Sequence, residues 1–348
     1  LQDAARTLEA VVRVARTGFA VDGAQPAQQA RAPSFTEWVS DSSQTINPEG
    51  LTMASVLITG SSSGIGLATA LAFGRAGHRV HATMRDVGRS GELRKTVEQE
   101  KLPISISPLD VDSDSSVRDA VDRIIRESGP IDVLVNNAGF APTGSVEETP
   151  LRVFRAVMET NYFGVIRCIQ AVLPDMRERR SGCIINVSSI SGRIAMAPMT
   201  PYQATKFALE GLSEGLAQEL KPFNIRVAIV EPGIIDTPAA RLIADHQSTS
   251  SYPHQQRFAA LFTASLQTER PASMVGQKIL EIAESGTWQL RHPAGPDAAA
   301  FLDWRKSLND EEWVAWGALD DDAWYRRMKQ DFGMDLRPWA HTAELPTV

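Results

Sequence analysis

From Ser55 onward, short runs of Val, Ile and Leu alternate with longer stretches in which apolar residues recur every three or four positions. The runs predict strands at Ser55 to Thr59, Arg79 to Met84, Ile104 to Leu109, Ile131 to Val135, Cys183 to Val187 and Ile225 to Val230, with a seventh near Trp288 to Arg291. The stretches between them predict helices. Strands that are apolar at successive positions, not only at alternate ones, suit a sheet covered on both faces. Strand-helix alternation with right-handed crossovers then gives a doubly wound arrangement. The expected fold is α/β, a single parallel sheet of about seven strands with helices on both sides.

The pattern divides the chain into 1–53, 54–295 and 296–348. The first part holds a stretch that could form one helix and then a segment rich in Gln, Pro, Ser and Asn, expected to be an extension that is partly disordered. Its arginines, Arg6, Arg13 and Arg16, are interrupted by Asp3 and Glu9, a weak match to a transit peptide. Met53 stands just before the first strand, so the functional chain is expected to be able to begin there. The last part carries Trp304, Trp313, Trp316, Trp324 and Trp339 among acids such as Asp320, Asp321 and Asp322. Large aromatics are costly to leave in water, so this tail is expected to pack on its own domain, or alternatively to cover a substrate cleft.

Composition narrows the function classes. The 348 residues carry a formal net charge of -7, which disfavours nucleic acid as a partner. No apolar run approaches the roughly 20 residues that cross a bilayer. Two cysteines, Cys168 and Cys183, and six scattered histidines form no disulfide framework and no metal-ligand spacing. A cytoplasmic protein without a metal is expected.

The first strand runs into Thr59-Gly60-Ser61-Ser62-Ser63-Gly64-Ile65-Gly66 and then a helix. Glycines let the backbone turn sharply beside a pyrophosphate, and the helix N-terminus offers free N–H groups and a positive dipole end. Strand, glycine-rich turn and helix follow in the order of a Rossmann-type dinucleotide site. The same residues also spell Gly-x-Ser-x-Gly around Ser62, the nucleophile elbow of a serine hydrolase, although Gly66 has no role there and no histidine stands out as its base. At the end of the second strand, where an acid would hold the adenosine ribose, the chain reads Met84-Arg85-Asp86. Arg85 suits a 2'-phosphate, so NADP(H) is favoured. Asp86 could act as the ribose acid in another register, which keeps NAD(H) possible.

Taken together, the Thr-Gly-x-x-x-Gly-x-Gly turn, Asp110, Asn136-Asn137-Ala138-Gly139, Asn161, Ser189, Tyr202-x-x-x-Lys206 and Pro232-Gly233 resemble the short-chain dehydrogenase/reductase family over about residues 54 to 290. The resemblance implies hydride transfer between a nicotinamide and an alcohol or ketone. Tyr202 would be the acid/base, Lys206 would tune it and hold the nicotinamide ribose, and Ser189 would bond the substrate oxygen. Asn161 would support a water and proton relay. Ser188 and Ser191 are set aside on spacing. Tyr202 and Lys206, four apart in a helical stretch, fall on one face.

By the same resemblance Gly60, Ser62, Ser63, Gly64, Ile65, Gly66, Arg85, Asp110, Val111, Asn137, Ala138, Gly139, Pro232, Gly233, Ile235 and Thr237 contact the cofactor. Local stretches such as Ala82-Thr83-Met84-Arg85-Asp86 look most like 17β-hydroxysteroid and retinol dehydrogenases. An apolar small-molecule substrate is therefore expected, against a wall of Leu242, Ile243, Phe258, Leu261 and Phe262. The segments Pro150 to Met176 and Tyr202 to Lys221 resemble those that pair in the family's homodimers and homotetramers. A non-catalytic dinucleotide-binding protein would usually have lost the Tyr/Lys pair, and this chain keeps it.

Overall fold

The computed structural model describes residues 53–246 and 250–340. The expectations for residues 1–52 lie outside them. Seven strands, β1 (Ser55–Thr59), β2 (Arg79–Met84), β3 (Ile104–Pro108), β4 (Val133–Asn136), β5 (Gly182–Val187), β6 (Ile225–Pro232) and β7 (Arg291–Ala294), form one sheet in the order β3-β2-β1-β4-β5-β6-β7. Every neighbouring pair is parallel. The doubly wound α/β fold is therefore present, with its strand order reversing between β1 and β4.

Each central strand feeds two cores because its side chains alternate between faces. Val56, Ile58, Val133, Val135, Cys183 and Ile185 face one layer with Phe73, Val275 and Ile279. These last three come from α1 (Gly64–Arg75) and α9 (Ala272–Glu284). Leu57, Leu134 and Ile184, the intervening residues, face the other layer with Val121, Ile169 and Leu209. Those side chains belong to α3 (Asp114–Ser128), α5 (Gly164–Arg179) and α6 (Thr200–Leu220). Full burial of such a side chain stabilises by about 1.5–3 kcal/mol, so apolar residues at successive positions are worth having only when both faces are covered. Helix α2 (Gly91–Glu100) joins β2 to β3 and contributes the buried Leu93 to the first core.

One sequence expectation needs correction. The seventh strand lies about three residues later than the Trp288 to Arg291 run. Trp288 is 41% exposed, with the Lys221 ammonium 3.3 Å above its ring centre. The strand instead uses Arg291-His292-Pro293-Ala294, and a proline is tolerated because β7 is the sheet's last strand. The Pro150 to Met176 segment is built from three helical pieces. It contains α4 (Leu151–Met158), a π-helical turn (Glu159–Phe163) and then α5.

Beyond β6 come α7 (Pro238–Ala244) and α8 (His254–Ser265), and beyond β7 come α10 (Ala298–Lys306), α11 (Asp310–Gly317) and α12 (Asp321–Phe332). Trp316, Trp324, Met328 and Leu336 share a third core with Met199, Ile243, Phe258 and Phe262. Trp304, Trp313, Trp316 and Trp324 form a chain of ring contacts with centroids 5.0–5.9 Å apart. The tryptophan-rich segment thus packs on α7, α8 and the loop before α6.

His81 sits inside the sheet on β2, its ring between the Ser55 and Ser105 hydroxyls at 3.2 and 3.1 Å. Burial, aided by Arg79, pushes its pKa down to about 4. The unfolded chain, with a histidine near 6.5, therefore takes up this proton first as the pH falls. The stability is intact above about pH 6.5 and is lost between there and about 4. The melting temperature of the wild type should fall more steeply across this window than that of His81→Gln, and equal slopes would contradict the assignment.

Candidate active site

The carboxyl ends of the strands open into a cavity of about 1110 Å³, centred where the strand order reverses. The polar part begins at the β1–α1 turn. Gly60 and Gly64 have φ of +71° and +56°, backbone that a side chain would strain. A Cβ on Gly60 would also lie 2.7 Å from Ala138 Cα. Ser63 is the N-cap of α1 but makes no side-chain capping bond, so the first-turn N–H groups keep their capacity to bind an anion.

The opposite wall is locked to this turn. Thr59 Oγ1 accepts from the Asn137 and Ala138 backbone N–H groups at 3.0 and 3.1 Å. The Asn137 amide in turn donates to the Thr59 and Gly60 carbonyls at 3.0 and 3.1 Å. A free helix N-terminus facing a glycine cradle fits a pyrophosphate-linked dinucleotide.

Gly60, Ser62, Ser63, Gly64, Ile65, Arg85, Asp110, Val111, Asn137, Ala138, Gly139, Pro232, Gly233, Ile235 and Thr237 all line the cavity. Gly66 does not. It lies behind the turn, where a Cβ would stand 2.3 Å from the Gly60 carbonyl oxygen, so it permits the turn instead of facing a ligand. At the end of β2, Met84 is buried and Arg85 lines the cavity together with Arg89. Asp86 caps the following turn, accepting from the Gly88 N–H at 2.9 Å. No histidine lines the cavity around Ser62, so among the described residues the hydrolase reading lacks its base.

Tyr202, Lys206 and Ser189 line the cavity as one group. Ser189 follows β5, and Tyr202 and Lys206 lie one turn apart on α6, with the ammonium 5.5 Å from the phenol ring centre. Lys206 is buried and donates to the Val187 carbonyl at 2.8 Å. Enclosure by protein pushes the Tyr202 phenol up to about 12, against the opposing pull of a hydrogen bond with Ser189. The same desolvation lowers Lys206 to about 8, with Glu210 one turn further along α6 pulling it back up.

Asn161 lies on the π-helical turn, a feature that recurs at functional sites, and it is placed behind the cavity wall instead of in it. Its Oδ1 accepts from the Phe140 N–H at 3.0 Å, and its Nδ2 donates to the Phe140 carbonyl at 3.0 Å and to Thr205 Oγ1 at 3.2 Å. It therefore ties the Gly139-Phe140 loop to α6 next to Tyr202 and Lys206. One acceptor lone pair on Oδ1 is left.

The far part of the cavity is apolar, walled by Ile194, Met196, Met199, Ile243, Phe258, Leu261, Phe262 and Phe301. Leu242 was expected in this wall beside Ile243 but is 73% exposed, because α7 turns only Ile243 inward. Ile194, Met196 and Met199 of this wall escaped the sequence reading, as did other contributions. Arg89 could have been found from its four-residue spacing to Arg85. Phe301 comes from the C-terminal segment, whose pairing with the cavity has no local signal. Asp297 and Arg270 clamp the Pro232-Gly233 turn. Asp297 Oδ2 accepts from the Ile234 N–H at 3.2 Å and from Arg270 Nη1 at 2.9 Å.

The sequence profile of the short chain dehydrogenase family matches residues 54–248, and the chain belongs to this family, whose members are NAD(P)(H)-binding oxidoreductases. It is similar to retinol dehydrogenase 8 of Bos taurus, 42% identical over 203 residues that cover 57% of this chain and 64% of that one. It is also similar to 3-ketodihydrosphingosine reductase of Bacteroides thetaiotaomicron, 43% identical over 183 residues, 52% of this chain and 64% of that one. The chain thus spans less than two thirds of the length of either relative. Among solved structures, a short-chain dehydrogenase from Streptomyces avermitilis superposes with a TM-score of 0.65 at 34% identity, over 76% of this chain and 96% of its own.

Proposed function

We propose that this protein is an NADP(H)-dependent oxidoreductase that interconverts an apolar secondary alcohol and its ketone, with Tyr202 as acid/base. The observation that carries the reading is that Tyr202, Ser189 and Lys206 line one cavity together with the glycine turn after β1 and the apolar residues Ile194, Phe258 and Phe262. When bound, the nicotinamide supplies or accepts the hydride at the substrate carbon. The protein's residues handle the oxygen and its proton.

In the reducing direction Tyr202 gives its proton to the carbonyl oxygen, and in the oxidising direction it takes the proton from the hydroxyl. A phenol near 12 is protonated at neutral pH, ready to act as the acid. For the oxidative direction the phenolate needs nearby positive charge, which Lys206 and an oxidised nicotinamide provide. Ser189 donates to the same substrate oxygen and fixes its distance from Tyr202. Lys206 has three N–H donors and spends one on Val187, leaving two for ribose hydroxyls. Asn161 holds the loop and helix that flank this group, and its remaining lone pair can take a water on a relay toward Lys206.

The choice of NADP(H) rests on Arg85 and Arg89 lining the adenosine end, two cations where Asp86 also lines the cavity and gives one oxygen to the Gly88 N–H. An apolar substrate is supported by the chamber's aliphatic and aromatic walls. The names of the two relatives, which refer to retinol and 3-ketodihydrosphingosine, support it too. The C-terminal segment, read as an extension of the catalytic domain, contributes Phe301 to the chamber. A homodimer or homotetramer is also part of the reading, because Leu151, Phe163 and Phe207 on the α4–α6 face are 61%, 45% and 45% exposed.

Replacing Tyr202 by Phe should cut turnover ~100-fold or more while leaving NADPH affinity nearly unchanged, since the hydroxyl is the proton donor. Turnover that survived would refute its role. The Arg85→Ala, Arg89→Ala double variant should weaken NADPH binding about 10-fold or more and leave NADH binding little changed. Sedimentation equilibrium at micromolar concentration should find a dimer or tetramer, and a monomer would remove that part of the proposal.

A further inference from the structure

One buried acid, Glu210, stands beside the Tyr202–Lys206 pair. It follows Lys206 by one turn of α6, a spacing that puts two side chains on one face with their Cβ atoms about 5–6 Å apart. Both residues are buried. The loop after Ser189 closes over the acid, and Gly192 permits this, since a Cβ there would lie 2.8 Å from Glu210 Cγ. The two oxygens of Glu210 differ. Oε2 accepts from Arg291 Nε of β7 at 2.8 Å, whereas Oε1 is buried with no hydrogen-bond partner among the described residues.

Arg291 is shared. Its Nη2 lies 3.1 Å from the exposed Glu214, and its Nε lies 3.9 Å from the buried Glu231 of β6, which Arg193 approaches at 3.4 Å. Three carboxylates therefore meet two guanidiniums, and the cluster holds one negative charge more than it balances. Burial, and then the Glu210 charge, push the Glu231 carboxyl up, a sign that the surplus is felt. Lys206 has the opposite need. Its hydrogen bond goes to the neutral Val187 carbonyl, and the Tyr202 ring centre lies 5.5 Å from the ammonium. A buried ammonium without a countercharge loses its proton readily, and Glu210 pulls against that loss.

We propose that Glu210 is a positioning residue of the reaction: anchored on Arg291, its carboxylate is the countercharge that keeps the buried Lys206 an ammonium, and through Lys206 it acts on the Tyr202 proton. The bearing on turnover rests on the alcohol/ketone reading, whereas the charge of Lys206 is measurable without it.

NMR titration of the full chain, with its lysines carbon-13 labelled at Cε, tests this, the Lys206 signal being assigned by its loss in Lys206→Arg. The wild-type midpoint is expected at about 8. Glu210→Gln keeps the shape and an acceptor for Arg291 but removes the charge, and should lower the midpoint by about one pH unit or more. Glu214→Gln, which takes a charge from the same guanidinium on its exposed side, should leave the midpoint unchanged. The pH above which ketone reduction declines should fall in Glu210→Gln, and Glu210→Asp, which retains the charge, should restore most of the range. An unchanged midpoint in Glu210→Gln, or an equal drop in Glu214→Gln, would overturn the proposal. If Glu210→Gln fails to fold, Arg291→Gln decides: with the competing cation gone the midpoint should rise, and a value at or below that of the wild type would overturn it. A wild type that reduces no ketone would defeat the alcohol/ketone reading, and the lysine titration would still decide the role of Glu210.

Discussion

The architecture of the site depends on the contact between the end of β1 and the end of β4. Thr59, through one hydroxyl and one carbonyl, ties itself to Asn137 and Ala138, and the Asn137 amide also holds the Gly60 carbonyl. This contact joins the two strands at which the sheet order reverses, and the crevice opens there. It also requires glycine at position 60, since a side chain would strike Ala138, and at position 66, since one would strike the Gly60 carbonyl. A free helix N-terminus is thereby brought opposite the β4 loop, and the dinucleotide trough follows from that placement.

The Tyr202–Lys206 pair depends on a second constraint, the burial of a phenol and an ammonium side by side. Desolvation alone would weaken the charged form of both. The structure meets this with a carbonyl for Lys206, a hydroxyl for Tyr202 and the Glu210 carboxylate one turn further on. Glu210 is itself held by Arg291 of β7 at 2.8 Å, which links the sheet's last strand to the buried pair on α6. Asn161 adds the mechanical part by fastening the loop after β4 to α6.

Much of this was legible in the sequence because it is local. Apolar runs mark strands buried on two faces, and the glycine turn and the Tyr-x-x-x-Lys spacing each lie within one element. The misplaced β7 shows the limit of that signal. Trp288 and Leu290 are as apolar as a strand requires, but an edge strand has little core to fill, and hydrogen bonding to β6 sets its register instead. Leu242 was misread because two adjacent residues of a short helix such as α7 point in different directions, and only Ile243 faces inward. The clamp of Asp297 and Arg270 and the Phe301 wall both join residues distant in the chain. Only folding brings them together.

The central claim is that hydride chemistry on an apolar alcohol or ketone takes place at Tyr202 with NADP(H). Nicotinamide absorbance, followed with NADPH and NADH in parallel against steroid, retinoid, aliphatic and aromatic ketones, tests it most directly. The account predicts NADPH oxidation with at least one apolar class, and a kcat/KM at least tenfold lower when NADH replaces NADPH. Silence with every ketone and both cofactors, or faster turnover with NADH, would contradict it.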